Sequence, residues 1–332
     1  MVYLTTIDMH VAGEPLRIIT SGFPEPTGKT ILEKRKTCQE QHDHIRRAAM
    51  WEPRGHTDMY GCLIVAPCHP EADVGVLFFH NEGYSTMCGH GILGLTTAML
   101  EHNLFPCTQP KTTIRFETPS GLVTAIASVE NGKVSSVAFR NVPSFAVRLN
   151  QAIDVPKVGT VSYDLASGGA FYAFCSAEDL ELELIPQNSR RLKDLGMAIK
   201  NAIMTTQAIQ YPTEPDLGFL YGIIFVGTPQ SEKADFRHVC IFADGALDRS
   251  PTGTGVSAHL ALLHAKGKLT TEKTKVFESI LGTKFTGSIV EETTTDGTSA
   301  IITEIKGQAY LTGKHEFLIE PNDPLKDGFL LK

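Results

Sequence analysis

The chain has 332 residues, 42% of them in the hydrophobic set and 20% charged, with 29 glycines and 18 prolines; this is the make-up of a folded chain of about two domains and excludes disordered or fibrous classes. Its 37 acidic residues exceed its 30 basic ones, for a formal net charge of -7, and the basic residues are scattered, so no nucleic acid or anionic membrane surface is expected as a partner. The opening MVYLTTIDMHVAGEP has no basic segment leading into an apolar run, and no run approaches the roughly 18 apolar residues of a membrane span; a soluble, cytoplasmic protein is the expectation.

Residues 1–20 read as a strand, a turn at Gly13-Glu14-Pro15 and a second strand at LRIIT, and the charged stretch 30–50 reads as helical. YGCLIVAPC (60–68) and DVGVLFFHN (73–81) follow as two strands joined across Pro70. In STMCGHGILGLTTAMLEHNLF the spacing of Ile92, Leu93, Leu95, Ala98 and Met99 predicts a buried helix, although Gly89, Gly91 and Gly94 lower its intrinsic propensity. Short strands return over 112–149 and again from 158 through FYAFCSA. A helix is predicted over about 188–208, then strands at LGFLYGIIFVG and FRHVCIFAD. DRSPTGTGVSAHLALLHAKGKL predicts a second buried helix, ending near Gly267, and strands segmented by glycines fill 275–320.

Met-Cys-Gly-His-Gly at 87–91 and Pro-Thr-Gly-Thr-Gly at 251–255 each open a helix after a strand-rich run. This echo predicts an α/β chain of two similar lobes, each a helix enclosed by sheet, with the two helix starts serving one site.

A thiol in the first turn of a helix meets unpaired amides and the positive end of the helix dipole, both of which favour thiolate. Cys88 stands at such a start, with Gly89 and Gly91 allowing close approach of a ligand and His90 able to donate or accept a proton; the alternative is a small buried residue in a tight turn. At the second start, Asp248 suits an ammonium or ring nitrogen, Thr252 offers a hydroxyl, and Gly253, Thr254 and Gly255 present amides suited to a carboxylate. Together these would hold an amino-acid zwitterion. His56 and Asp58, in RGHTDMYG, alternate in a way that would let them face a pocket together, and His10 is a third candidate for its wall.

Seven cysteines without a CxxC pair predict neither a disulfide framework nor a zinc knuckle. His42, Asp43, His44, His69, His80 and His90 match no metal-ligand spacing, and no metal is expected. GFPEPTGKT misses the phosphate-loop spacing by one residue, and no strand-linked GxGxxG supports a dinucleotide site.

MCGHG and DRSPTGTG, together with DMHVAGEPLRI and RGHTDMYG, resemble the proline racemase superfamily over nearly the whole chain. The resemblance implies a diaminopimelate-epimerase-like fold of two α/β lobes, each a central helix wrapped by mostly antiparallel sheet, with the active site in the cleft between them. The lobes are expected over 1–142, completed by 318–332, and over 143–317. It also implies a homodimer, a small cyclic amino acid as substrate, and no cofactor.

The family comprises proline racemases, 4-hydroxyproline 2-epimerases and trans-3-hydroxy-L-proline dehydratases, and its racemases and epimerases use two thiols on opposite faces of the α-carbon. Cys88 matches the first. Where the second motif usually reads DRSPCGTG this chain has Thr252, which resembles the dehydratase branch and points to a hydro-lyase yielding Δ1-pyrroline-2-carboxylate. By the same resemblance Gly89, His90, Asp248, Gly253 and Thr254 would contact the substrate's carboxylate and nitrogen. A racemase or epimerase with another group in place of the second thiol is the alternative, and a noncatalytic amino-acid-binding protein on the same fold a third.

Overall fold

Strands β1 (Val2–Val11) and β2 (Glu14–Ser21) form an antiparallel hairpin in which Val11 faces Glu14. The computed structural model describes residues 1–211, 215–271 and 273–331; Lys332, the last residue of the expected return segment, lies outside them. The turn is the pair Ala12-Gly13, both in the left-handed region at φ 54° and 98°, as a two-residue hairpin of matching twist requires. It therefore falls one residue earlier than the glycine and proline suggest, and Pro15 sits in β2.

The charged stretch becomes two helices, α1 (Ile31–Gln41) and α2 (Asp43–Met50). Thr30 caps the first by accepting from the Glu33 amide at 3.1 Å, while the Glu33 carboxylate reaches back to the Lys29 amide at 2.6 Å. The break falls at His42, whose amide closes on the Cys38 carbonyl; α2 then buries Ile45, Ala48, Ala49 and Met50. Strands β3 (Tyr60–Val65) and β4 (Val74–His80) follow, and then helix α3 (Gly89–Glu101), buried at every residue from Gly89 to Leu100. Its three glycines cost roughly 3 kcal/mol in propensity. Burial of Ile92, Leu93 and Leu95 contributes about 1.5–3 kcal/mol each, so packing decides the helix. Strands β5 (Lys111–Thr118), β6 (Gly121–Glu130) and β7 (Lys133–Arg140) follow, and the chain's last strand, Ala309–Ile319, returns to lie antiparallel to β1.

The chain divides into two compact units, Met1–Phe139 with Gln308–Lys332, and Arg140–Gly307. The second contains β8 (Phe145–Val155), β9 (Gly159–Ser167), β10 (Phe171–Ser176), α4 (Ser189–Thr206), β11 (Leu220–Gly227), β12 (Phe236–Phe242), the two-residue β13 (Ala246–Leu247), α5 (Gly253–Ala265), β14 (Lys275–Glu278), β15 (Lys284–Thr295) and β16 (Thr298–Gly307), and β17 is the returning strand already described. Helix α4 buries Leu192, Gly196, Ile199, Lys200 and Ile203, one stripe at helical spacing, against a core that includes Ile223, Phe225, Val239 and Ile241.

The two units share one pairing pattern. In the first, β1–β2 is antiparallel, β2–β3 parallel, β3–β4 antiparallel, β4–β5 parallel and β5–β6 antiparallel. In the second, β9–β10, β10–β11, β11–β12, β12–β14 and β14–β15 repeat that order, and β8 lies beside β9 as β17 lies beside β1. The correspondence reaches side chains. Asp73 accepts from the Arg115 amide at 2.8 Å while its own amide binds the Arg115 carbonyl, and Asp235 makes the same pair of bonds with Val276, also at 2.8 Å. The result is a mixed α/β fold, repeated, with α3 and α5 as the equivalent buried helices.

Candidate active site

In the first unit the segment after β4 delivers Cys88 to the N-cap of α3, in an extended conformation at φ −142°. Its sulfur accepts from the Gly91 amide at 3.3 Å and lies 3.1 Å from His90 Nδ1. The side chain is thus turned over the start of its own helix, where amide and dipole favour negative charge on sulfur. Gly91 is required there: a Cβ would stand 2.4 Å from Phe78 Cε1 and 3.2 Å from the Cys88 sulfur.

His90 is buried, with the edge of the Tyr60 ring at 4.7 Å between centroids, and the Tyr60 hydroxyl is in turn bonded to Ser85 Oγ at 2.5 Å. Whichever tautomer His90 adopts, it either accepts the thiol proton at Nδ1 or donates from Nδ1 to the thiolate. Four other cysteines are held as thiols. Burial pushes Cys38 and Cys175 up to about 12 and Cys62 well above the usual thiol range, with the charge of Cys88 adding to the effect, and burial followed by Glu117 raises Cys68.

In the second unit the turn from β13 to α5 is built around Asp248. Its Oδ1 accepts from the Ser250 amide at 2.7 Å and its Oδ2 from the Thr252 hydroxyl at 2.8 Å, while Ser250 Oγ accepts from the Thr252 amide at 3.1 Å. Thr252 occupies the N-cap position of α5 at φ 66° and ψ 93°, and its side chain makes no cap bond to the helix. A β-branched residue in the left-handed region costs on the order of 1–3 kcal/mol, and the three bonds of the turn hold it there. Because the hydroxyl hydrogen is committed to a carboxylate, Thr252 Oγ1 meets any ligand with its lone pairs.

Gly253 and Thr254 begin the helix, and Thr254 Oγ1 is 2.7 Å from the Tyr172 hydroxyl. At Gly255 a Cβ would lie 2.3 Å from Ile224 Cδ1 and 3.0 Å from Thr252 Cγ2, so the end of Ile224 would have to turn aside and Thr252 would be crowded.

The first unit thus joins Cys88 to Gly89 and His90, and the second joins Asp248 to Thr252, Gly253 and Thr254. His10 lies on β1, half-buried, stacked on Tyr310 at 5.2 Å. His56 and Asp58 lie in the loop before β3, so strand alternation does not align them. His56 is exposed, with Nδ1 bonded to the Thr57 carbonyl at 2.7 Å, and Asp58 is left-handed at φ 61°. Tyr60, Ser85, Tyr172 and Ser250, which brace the two helix starts, were not singled out by sequence; Ser250, inside DRSPTGTG, was the one most open to recognition. Among the described residues no group of three or more His, Cys, Asp or Glu side chains is placed to hold a metal ion. No helix among them is long and apolar enough to cross a membrane.

Residues 6–330 match the protein family described as Proline racemase. The chain belongs to the proline racemase family. It is similar to the trans-L-3-hydroxyproline dehydratase of Xenopus tropicalis, with 46% identity over 99% of this chain and 95% of that protein. It is also similar to the proline racemase of Clostridioides difficile, with 42% identity over 99% of this chain and 98% of the other. Its fold matches the crystal structure of a hydroxyproline epimerase from Agrobacterium vitis with bound trans-4-hydroxy-L-proline, at a TM-score of 0.95 and 31% identity, covering 100% of this chain and 95% of that one. Relatives named for different activities thus lie close to this chain in overall identity.

Proposed function

We propose that this member of the proline racemase family is a trans-3-hydroxy-L-proline dehydratase, a hydro-lyase that works with its own side chains and no cofactor. The observation that carries the reading is Thr252, a hydroxyl where a second thiol would stand, donating its hydrogen to Asp248 at 2.8 Å. A threonine hydroxyl is a far weaker acid than a thiol and a very poor base near neutral pH. Return of a proton to the second face of the α-carbon is therefore disfavoured, and a substrate that loses its α-proton needs another fate. The relatives named trans-3-hydroxyproline dehydratase, at 44–46% identity, support the same choice.

In the proposed reaction the Cys88 thiolate takes the α-hydrogen. The electron pair of that C–H bond becomes the double bond between the α- and β-carbons as the C–O bond to the 3-hydroxyl breaks. In trans-3-hydroxy-L-proline this hydroxyl lies on the same ring face as the α-hydrogen, so the proton now on sulfur, or one held by His90, converts the departing hydroxide to water. The enamine then tautomerises to Δ1-pyrroline-2-carboxylate. Amides at the starts of α3 and α5, at Gly89, His90, Gly253 and Thr254, are the proposed donors to the carboxylate, where negative charge grows during proton removal. Asp248, its oxygens accepting two bonds of the roughly four available to a carboxylate, is the proposed partner of the ring nitrogen. We place the active form as a homodimer, as the family resemblance implies, and in the cytoplasm, in keeping with seven cysteines outside disulfides.

Proton NMR of the purified protein with trans-3-hydroxy-L-proline, proline and 4-hydroxyproline, each in deuterated water, tests the reading. Conversion of the 3-hydroxy compound alone, to pyrroline-2-carboxylate, is expected. Inversion of proline or 4-hydroxyproline with the 3-hydroxy compound left intact would overturn it.

A further inference from the structure

The second unit buries two histidines that the proposed chemistry does not use. His238, on β12, is 0% exposed, and His259, on α5, is 8% exposed. His238 Nε2 lies 2.8 Å from His259 Nδ1, and His238 Nδ1 lies 3.2 Å from the carbonyl oxygen of Pro251, the residue before Thr252. Aromatic rings enclose the pair: Phe236 stands 4.7 Å from His259 and Phe277 4.9 Å from His238, between centroids. Burial lowers His238 to about 4 and holds His259 well below the ordinary histidine value, with the charge of His238 second among its causes, so both rings are neutral near pH 7.

Neutrality fixes every hydrogen in the column. A carbonyl oxygen only accepts, so His238 carries its hydrogen on Nδ1 and its Nε2 must accept. His259 therefore carries its hydrogen on Nδ1 and donates it to His238. Its own Nε2 is left as a lone pair, and His259 is on the wall of a cavity of about 560 Å³ that Asp235, Phe236, Leu263 and Lys266 also line.

The peptide between Pro251 and Thr252 is consequently gripped at both ends, its oxygen by His238 and its N–H by Ser250 Oγ at 3.1 Å. Were His238 in the other tautomer, a lone pair would face the carbonyl and that grip would be lost. Holding the plane of this peptide holds Thr252 at φ 66°, with its hydroxyl on Asp248.

We infer that His238 and His259 are positioning residues for the Thr252 turn, His238 by gripping the Pro251 carbonyl and His259 by fixing the tautomer that lets it do so. The activity part of the test rests on the dehydratase reading; the spectroscopic part does not. In His259→Phe the aromatic enclosure stays filled and the donor is gone. In His259→Asn the side-chain amide stands where Nδ1 stood and can donate in its place. Turnover of trans-3-hydroxy-L-proline should fall at least about tenfold in His259→Phe with KM little changed, as displacement of a positioned group predicts, and return most of the way in His259→Asn even though that variant leaves the larger void.

Nitrogen-15 NMR of the unaltered protein should show His238 as the Nδ1–H tautomer, and His259→Phe should abolish that preference. The inference is overturned if the unaltered protein holds His238 as the Nε2–H tautomer, or if turnover in the two variants simply tracks their melting temperatures. Failure of the dehydratase reading alone would leave the tautomer result standing.

Discussion

The starts of α3 and α5 are the same device in two copies, and they differ in what the cap residue does. Cys88 is extended and folds its sulfur back over its own helix, onto the Gly91 amide and beside His90. Thr252 is left-handed and turns its hydroxyl away from its helix, onto Asp248. In the first copy helix amide and imidazole favour charge on the cap atom, and a proton can pass to the ring. In the second the cap atom's hydrogen is spent on a carboxylate, and a backbone strained by about 1–3 kcal/mol is held by Ser250 and His238. On the proposed reading, one helix start moves a proton and the other orients.

Removing the sulfur breaks this comparison most severely. Cys88→Ser keeps the turn and a small polar cap, so steady-state kinetics should show turnover down on the order of 10³-fold, from loss of the base, with calorimetric binding of substrate partly retained. Near-full turnover would take Cys88 out of the reaction. Next comes Asp248→Asn, which removes the charge to which Thr252 donates. Turnover should fall roughly a hundredfold, and the drop should persist at saturating substrate if the turn is displaced as well as the contact weakened.

Much of this arrangement can be traced to particular residues. Cys88 and Thr252, each followed by Gly-x-Gly and then an apolar run, announce α3 and α5 because cap, glycine and helical period agree. The hairpin turn was displaced by one because Ala12 accepts φ 54°, a demand that glycine would have advertised and alanine does not. The break at His42 carries no glycine or proline and shows itself only through the apolar face that α2 buries. His238 and His259 were beyond sequence reading: 21 residues separate them, one on a strand and one on a helix, and only the packing of α5 on the sheet makes them neighbours. The matched order of parallel and antiparallel pairings was equally hidden, since one short echo of motif says nothing of strand register.

Smaller effects sharpen the contrast. Thr252→Cys should lower dehydration by about tenfold and open α-hydrogen exchange on the second face, read as deuterated D-proline formed from L-proline in deuterated water. Dehydration at the unaltered rate would mean that orientation by the Thr252 hydroxyl is unnecessary. Gly91→Ala should cost about 1–3 kcal/mol in urea unfolding, since a new Cβ would strike the buried Phe78 ring, and Gly255→Ala less, since the end of Ile224 can turn aside; a neutral result at Gly91 would show that its helix start can yield.

The mildest probe is pH. His238 is lowered to about 4 in the folded chain, below the roughly 6.5 of an unfolded histidine, so the unfolded state binds the proton first on acidification. The stability this group contributes is complete above about pH 6.5 and is lost, to roughly 3 kcal/mol, as pH falls toward 4. Urea unfolding at neutral pH and near pH 4.5 should show that loss, and His238→Asn should diminish it, leaving the part that the buried His259 contributes.

The division of labour between the two starts is tested most directly by stopping the reaction with trans-3-hydroxy-L-proline in deuterated water at partial conversion and analysing the recovered substrate. A base on one face alone predicts pyrroline-2-carboxylate as product, with any deuterium in the remaining substrate introduced with retention. Accumulation of the deuterated α-epimer would contradict the account, because it would require Thr252, or a group beside it, to deliver a proton from the second face.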